Sequence, residues 1–179
     1  MQNRILTISN ALSFSRVVLA VPIAILLLSD RPGDRAWACG IVLVAILTDF
    51  LDGYFARRLH EVSEFGKVID PIADKIGVGT VVVVLVLTKE VPLWYGVVVL
   101  LRDLLILAGG IAIRSSKGII PQSNWPGKWA VGFVAAYLVL CMARIAWGQT
   151  LLLWVSIAFM ALSFALYTQR LFISRHVTA

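Results

Sequence analysis

The sequence predicts an all-α, polytopic membrane protein built as a bundle of six transmembrane helices. Composition is the first reason: 60% of the 179 residues are hydrophobic and 15% charged, where ordinary soluble domains carry about 25% charged residues. Mean hydropathy is +0.90. The second reason is segmentation. The apolar sequence falls into runs near the ~20 residues that a helix needs to cross the hydrocarbon core, separated by short charged or Pro/Gly turns. Too little polar sequence remains for a separate soluble part, so residues 1–179 read as one domain.

The first span is predicted over 10–29. Its apolar run, 11–28, is longer than a signal-peptide core, is interrupted by Arg16 and meets no small-x-small cleavage pattern. It is therefore read as a spanning helix, and the segment 2–9 ahead of it as a short stretch at the membrane surface. The turn Arg31-Pro32-Gly33-Asp34 ends it. The second span, 35–58, leads through a charged connection at 57–67 to the third, 66–88. Lys89, Glu90 and Pro92 mark the next turn. The fourth span covers 92–114, a polar loop runs over 114–128, and the fifth and sixth spans cover 127–147 and 150–173. Trp37, Trp94 and Trp147 stand near segment ends, where amphipathic rings anchor a helix to the interface. Cys39 and Cys141 lie in apolar segments without C-x-x-C spacing and read as buried, inert thiols.

Charge sets the orientation. With the N-terminus inside, Arg4, Arg16, Arg57, Arg58, Lys67, Arg114, Lys117, Lys128, Arg170 and Arg175 fall on the cytoplasmic side, and Arg31, Arg35, Lys89 and Arg144 on the other. That bias places both termini in the cytoplasm. The net charge of +6 reads as basic loops facing anionic headgroups; no nucleic-acid partner is expected.

Two aspartate pairs break the apolar pattern, in the stretch TDFLDGYFARRLHEVSEFGKVIDPIADK. Asp49 and Asp52 are three apart and Asp70 and Asp74 four apart, the spacings that put side chains on one helical face. One charged carboxylate at the centre of a membrane helix costs roughly 2.5–3.5 kcal/mol. Four cost on the order of 10 kcal/mol, less near the interface. A structural role does not explain such an expense; cations held by converging carboxylates do. The second span runs inward and the third outward, so all four share one shallow depth that opens to the cytoplasm. Oxygen-only donors suit hard divalent ions such as Mg²⁺ or Mn²⁺. The only histidines, His60 and His176, fall outside both pairs, unlike the Glu-x-x-His pairs of a di-iron bundle. Two metals would neutralise the carboxylates and leave positions for phosphate oxygens. Gly53 and Ala56 leave room beside the same face, and the guanidinium of Arg57 suits phosphate. A cation transporter using the carboxylates as an ion path is the competing reading. Sites gathered at one depth argue against it.

The complete spacing is Asp49-x2-Asp52-Gly53-x2-Ala56-Arg57-x8-Gly66-x3-Asp70-x3-Asp74. It resembles, without a departure, the signature of the CDP-alcohol phosphotransferase (CDP-alcohol phosphatidyltransferase) family, integral membrane enzymes of phospholipid synthesis. The resemblance implies transfer from a CDP-linked lipid, CDP-diacylglycerol, to a polar alcohol acceptor with loss of CMP. It implies two divalent ions on Asp49, Asp52, Asp70 and Asp74, with Asp74 as the general base. It places Gly53, Ala56, Arg57 and Gly66 at the nucleotide. Asn10-Ala11-Leu12-Ser13-x2-Arg16 is similar to the Asn-x-Leu-Thr-x-x-Arg opening of the phosphatidylglycerophosphate synthase and cardiolipin synthase branch, with Ser13 in place of threonine. Asn10 then has two readings, a nucleotide contact or a helix cap. Arg102, Arg114 and Lys128 are candidate acceptor binders. Arg102 carries most weight, being intramembrane, although Asp103 beside it offers an ordinary pairing role. Gly127-Lys128 resembles the start of a Gly-Lys-x-Lys-Thr element, but Ala130 and Val131 replace its last two residues. Glycerol 3-phosphate is the expected acceptor, with phosphatidylglycerol or inositol phosphate as alternatives. Family members are commonly dimers, so a homodimer is the assembly to test. Gly109-Gly110 reads as a helix-packing position.

Overall fold

The computed structural model describes the backbone of residues 8–29, 31–59, 66–117 and 125–176, and most side chains within 14–48, 72–110 and 125–169. Among the described residues six helices follow one another: α1 (Ile8–Ser29), α2 (Asp34–Leu59), α3 (Gly66–Leu87), α4 (Leu93–Lys117), α5 (Trp125–Met142) and α6 (Gln149–His176). His60, most of the surface segment 2–9, the middles of the 57–67 connection and the 114–128 loop, and the tail 177–179 lie outside the described residues.

Among the described residues, three stretches are long and apolar enough to cross a membrane: Leu93–Gly110, Trp125–Met142 and Gln149–Gln169, while Val17–Ser29 is a shorter apolar helix. Their outward faces are apolar too. Val21, Ile25, Leu93, Leu101, Leu104, Leu151 and Trp154 are each more than half exposed. In water so extensive an apolar surface drives association; in lipid it faces its proper solvent. The chain is an all-helical membrane protein.

The chain packs as two compact units, Met1–Gly96 and Val97–Ala179. In the first, α1 lies against both α2 and α3. It buries Ala20, Ile23 and Leu27, whose spacing of three and four makes one stripe. α3 buries Val81, Val82, Val84 and Leu85, and α2 buries Ala38. Gly33, at φ 93°, turns the chain from α1 into α2, and the Ser29 hydroxyl bonds the Asp34 carboxylate across that turn. α3 stops because Lys89 adopts φ 60°. The Glu90 N–H then donates to the Leu85 carbonyl at 2.9 Å and the Lys89 N–H to that of Val86 at 3.1 Å, the paired bonds of a left-handed helix cap. From the start of α2, Arg35 Nη2 donates to Glu90 Oε1 at 3.0 Å, in a largely buried ion pair. At Gly96 a Cβ would stand 2.7 Å from Val86 Cγ2, so the start of α4 approaches α3 at a distance only glycine allows.

In the second unit α5 and α6 pack together. α5 buries Gly127, Ala130, Val134, Tyr137, Leu138, Cys141 and Met142; α6 buries Ser156, Met160 and Ser163, spaced four and three. The Phe133 and Phe159 rings meet at 5.1 Å. α5 ends at Met142, short of the span predicted over 127–147. Arg144 at φ 54° reverses the chain, with the Ile145 N–H on the Leu140 carbonyl at 2.9 Å and the Arg144 N–H on that of Cys141 at 3.0 Å. Neither glycine nor proline stands between 143 and 147 to announce it. Cys141 is buried as expected, whereas Cys39 is half-buried.

Candidate active site

α2 carries Asp49, Asp52, Gly53, Ala56 and Arg57 in its last turns, and α3 carries Gly66, Asp70 and Asp74 in its first. Both stretches are continuous helix, so the spacing read from sequence is realised in the backbone. The rise is about 4.5 Å between Asp49 and Asp52 and about 6 Å between Asp70 and Asp74. Both helices rest on α1 within one unit. The side chains of Asp49, Asp52, Gly53, Ala56, Arg57, Gly66 and Asp70 lie outside the described residues, as do those of Asn10 on α1 and Arg114 on α4.

Asp74 reports on the direction of its face. It is half-buried and interacts with a neighbour, beside the buried Ala73. Ile72 and Ile76, two residues to either side, are exposed apolar side chains. At about 100° per residue they share a face roughly opposite that of Asp74. The helix thus presents isoleucine outward and Asp74 inward. The Asp74 carboxylate, on a helix packed to the same α1 as α2, is a donor of the kind that hard divalent cations take.

The three acceptor candidates belong to the second unit. Arg102 is half-buried within the apolar stretch Leu93–Gly110. Its Nη1 donates to Asp103 Oδ1 at 2.8 Å, with side-chain exposures of 11% and 13%, while its Nε is buried and has no hydrogen-bond partner. One edge of the guanidinium is committed and the other is not. Lys128 differs: it is exposed, with its ammonium 5.8 Å from the Trp125 ring centroid, a separation at which an aromatic face and a cation attract.

Sequence reasoning passed over Tyr167. Its hydroxyl is also buried without a partner, and its ring lies on Gly109, where a Cβ would stand 3.2 Å from the phenolic oxygen. The glycine doublet signalled close packing there; nothing local to Tyr167 signalled that a polar tip would be enclosed.

Membrane-length apolar helices and an aspartate-bearing α2–α3 segment define the class, a helical membrane protein with a candidate metal centre. More particularly, the chain belongs to the CDP-alcohol phosphatidyltransferase family, whose profile matches residues 6–166. It is an enzyme, a transferase of substituted phosphate groups, in a family that is generally dependent on divalent metal. Over 178 residues it is 29% identical to the cardiolipin synthase (CMP-forming) of Streptomyces coelicolor, covering 88% of this chain and 82% of that one. It is 36% identical over 131 residues to the probable phosphatidylglycerophosphate synthase of Mycobacterium tuberculosis, covering 70% of this chain and 60% of the relative. It is 35% identical over 102 residues to the CDP-diacylglycerol–glycerol-3-phosphate 3-phosphatidyltransferase of Mycoplasma pneumoniae, covering 56% and 44% respectively.

Proposed function

We propose that this chain transfers the phosphatidyl group of CDP-diacylglycerol to an alcohol, in the first reading glycerol 3-phosphate, and releases CMP. The observation that carries the reading is the inward face of Asp74 on α3, the helix whose first turns also carry Asp70 and which rests on the same α1 as the α2 that carries Asp49 and Asp52. The acceptor hydroxyl oxygen attacks the phosphorus that bears diacylglycerol. The bond from that phosphorus to the bridging oxygen breaks, and CMP carries the bond's electrons away. Asp74 takes the hydroxyl proton. Divalent ions held by Asp49, Asp52, Asp70 and Asp74 would supply charge neutralisation along the diphosphate, the main requirement of phosphoryl transfer. Gly53, Ala56 and Gly66 leave the backbone open to the nucleotide, Arg57 pairs with its phosphates, and Asn10 is a further hydrogen-bonding group on α1. Arg102, Arg114 and Lys128 are the acceptor-side cations.

In this reading all six helices cross the bilayer within a single domain, both termini are cytoplasmic, and the site opens to the cytoplasm. A shallow site suits a lipid donor: the acyl chains stay in hydrocarbon while the cytidine faces water. The working assembly is a homodimer.

A second acceptor, phosphatidylglycerol, is supported by the cardiolipin synthase of Streptomyces coelicolor, which matches most of both chains. Ala130 and Val131, where a second lysine and a threonine would favour glycerol 3-phosphate, point the same way. Inositol phosphate remains the third candidate. With the family shown, the cation-transporter reading is set aside. The deciding experiment offers purified enzyme radiolabelled CDP-diacylglycerol with each acceptor separately. CMP release with glycerol 3-phosphate alone supports the first reading and with phosphatidylglycerol alone the second; no release with any acceptor refutes both.

A further inference from the structure

Arg102 and Gly109 are seven residues apart on α4, two helical turns, and so share a face about 10 Å apart along the axis. The Tyr167 ring of α6 lies on Gly109. Among the described residues, Arg102 Nε and the Tyr167 hydroxyl are the buried side-chain polar atoms left without a hydrogen-bond partner. Buried polar groups are normally satisfied, so two orphans associated with one helix face call for a shared occupant.

We propose that Tyr167 is a binding residue for the acceptor, and that its hydroxyl meets the free hydroxyl of a phosphorylated glycerol whose phosphate is held by the open edge of Arg102. The chemistry matches end to end. The Arg102 guanidinium has one edge on Asp103, and its Nε edge can offer paired N–H donors to phosphate oxygens. A phenol both donates and accepts, as an alcohol does. Phosphate, a three-carbon stem and a hydroxyl offer a hydrogen-bonding group at each end, one for each orphaned atom, and the positions on α4 that hold those atoms lie two turns apart. Gly109 is glycine because a side chain there would press on the phenolic oxygen. The family profile ends at residue 166, so Tyr167 stands just beyond it. The inference rests on the proposed reading that Arg102 is on the acceptor side.

The test is Tyr167→Phe, which removes one oxygen and keeps the ring. Thermal unfolding of wild type and variant is followed in detergent micelles, alone, with glycerol 3-phosphate, and with phosphatidylglycerol. Without ligand the variant should melt about 2–4 °C higher, because an unsatisfied buried hydroxyl has been deleted. Whichever source stabilises the wild type should lose that effect in the variant, and in turnover the acceptor KM should rise roughly tenfold, as for one lost hydrogen bond, with the KM for CDP-diacylglycerol unchanged. Loss in the glycerol 3-phosphate arm identifies the free phosphate, and loss in the phosphatidylglycerol arm the lipid headgroup. Gly109→Ala, which crowds the hydroxyl without removing it, should weaken the same ligand. Equal stabilisation of wild type and Tyr167→Phe by the acceptor, or no stabilisation of the wild type by either source, overturns the proposal. Because binding is read without CDP-lipid, failure of the transfer reaction itself is scored separately, by CMP release from the wild type.

Discussion

At the scale of single residues, the proposed chemistry rests on the quartet Asp49, Asp52, Asp70 and Asp74. An aspartate that holds a cation works through its charge, which asparagine lacks at nearly the same volume. Asp→Asn at any of the four positions is expected to lower CMP release by at least about 100-fold, read by radiolabelled CDP-diacylglycerol turnover. Retention of near-wild-type rate in any one of them would remove that residue from the site. Sequence singles these residues out as candidates, because three- and four-residue intervals are the helix's own periodicity and carboxylates in hydrocarbon are expensive. Arg102 stood out for the same reason. Tyr167 did not: tyrosine is ordinary in an apolar helix, and whether its hydroxyl is wet, bonded or orphaned depends on what faces it.

At the scale of elements, helix ends and close approaches decide the stability. α3 and α5 both terminate on a basic residue in the left-handed region, Lys89 at φ 60° and Arg144 at φ 54°. A side chain with a Cβ is strained there, and glycine is not. Lys89→Gly and Arg144→Gly should each stabilise the protein by about 0.5–1 kcal/mol, net of the chain entropy that glycine adds, seen as a higher melting temperature in detergent. Gly96 predicts the opposite sign. A Cβ at 2.7 Å from Val86 Cγ2 meets a short branched side chain with little freedom to yield. Gly96→Ala should therefore destabilise by about 1–3 kcal/mol, and an unchanged melting temperature would show that α3 and the start of α4 separate readily. The helices themselves were legible from apolar run length and turn residues. The early end of α5 was not, because the residue that reverses the chain is an arginine rather than a glycine.

At the scale of the molecule, the enzyme is expected to be inactive after exhaustive chelation and to regain activity with Mg²⁺ or Mn²⁺, while its melting temperature falls by a few degrees on metal removal through loss of binding linkage. Full CMP release in the presence of excess chelator would remove metal from the mechanism. Orientation follows from charge bias over the loops rather than from any single residue, and protease or thiol-reagent access from each side of sealed vesicles tests it. The first unit gathers both aspartate pairs onto helices that rest on α1, so one apolar stripe, Ala20, Ile23 and Leu27, supports the scaffold of the whole candidate metal centre.

The amino-acid order by itself determined the helical membrane class, the approximate helices, the aspartate register and the family, because each depends on local periodicity, composition or fixed spacing along one chain. Only the tertiary structure decided where α5 stops, that Arg35 finds Glu90 across fifty-five residues, and that Tyr167 closes over Gly109 with its hydroxyl unpaired. The last two depend on which surfaces meet in space, and no window of sequence contains both partners; the first is a local turn, closed between Leu140 and Ile145 by an arginine whose residue type does not announce it.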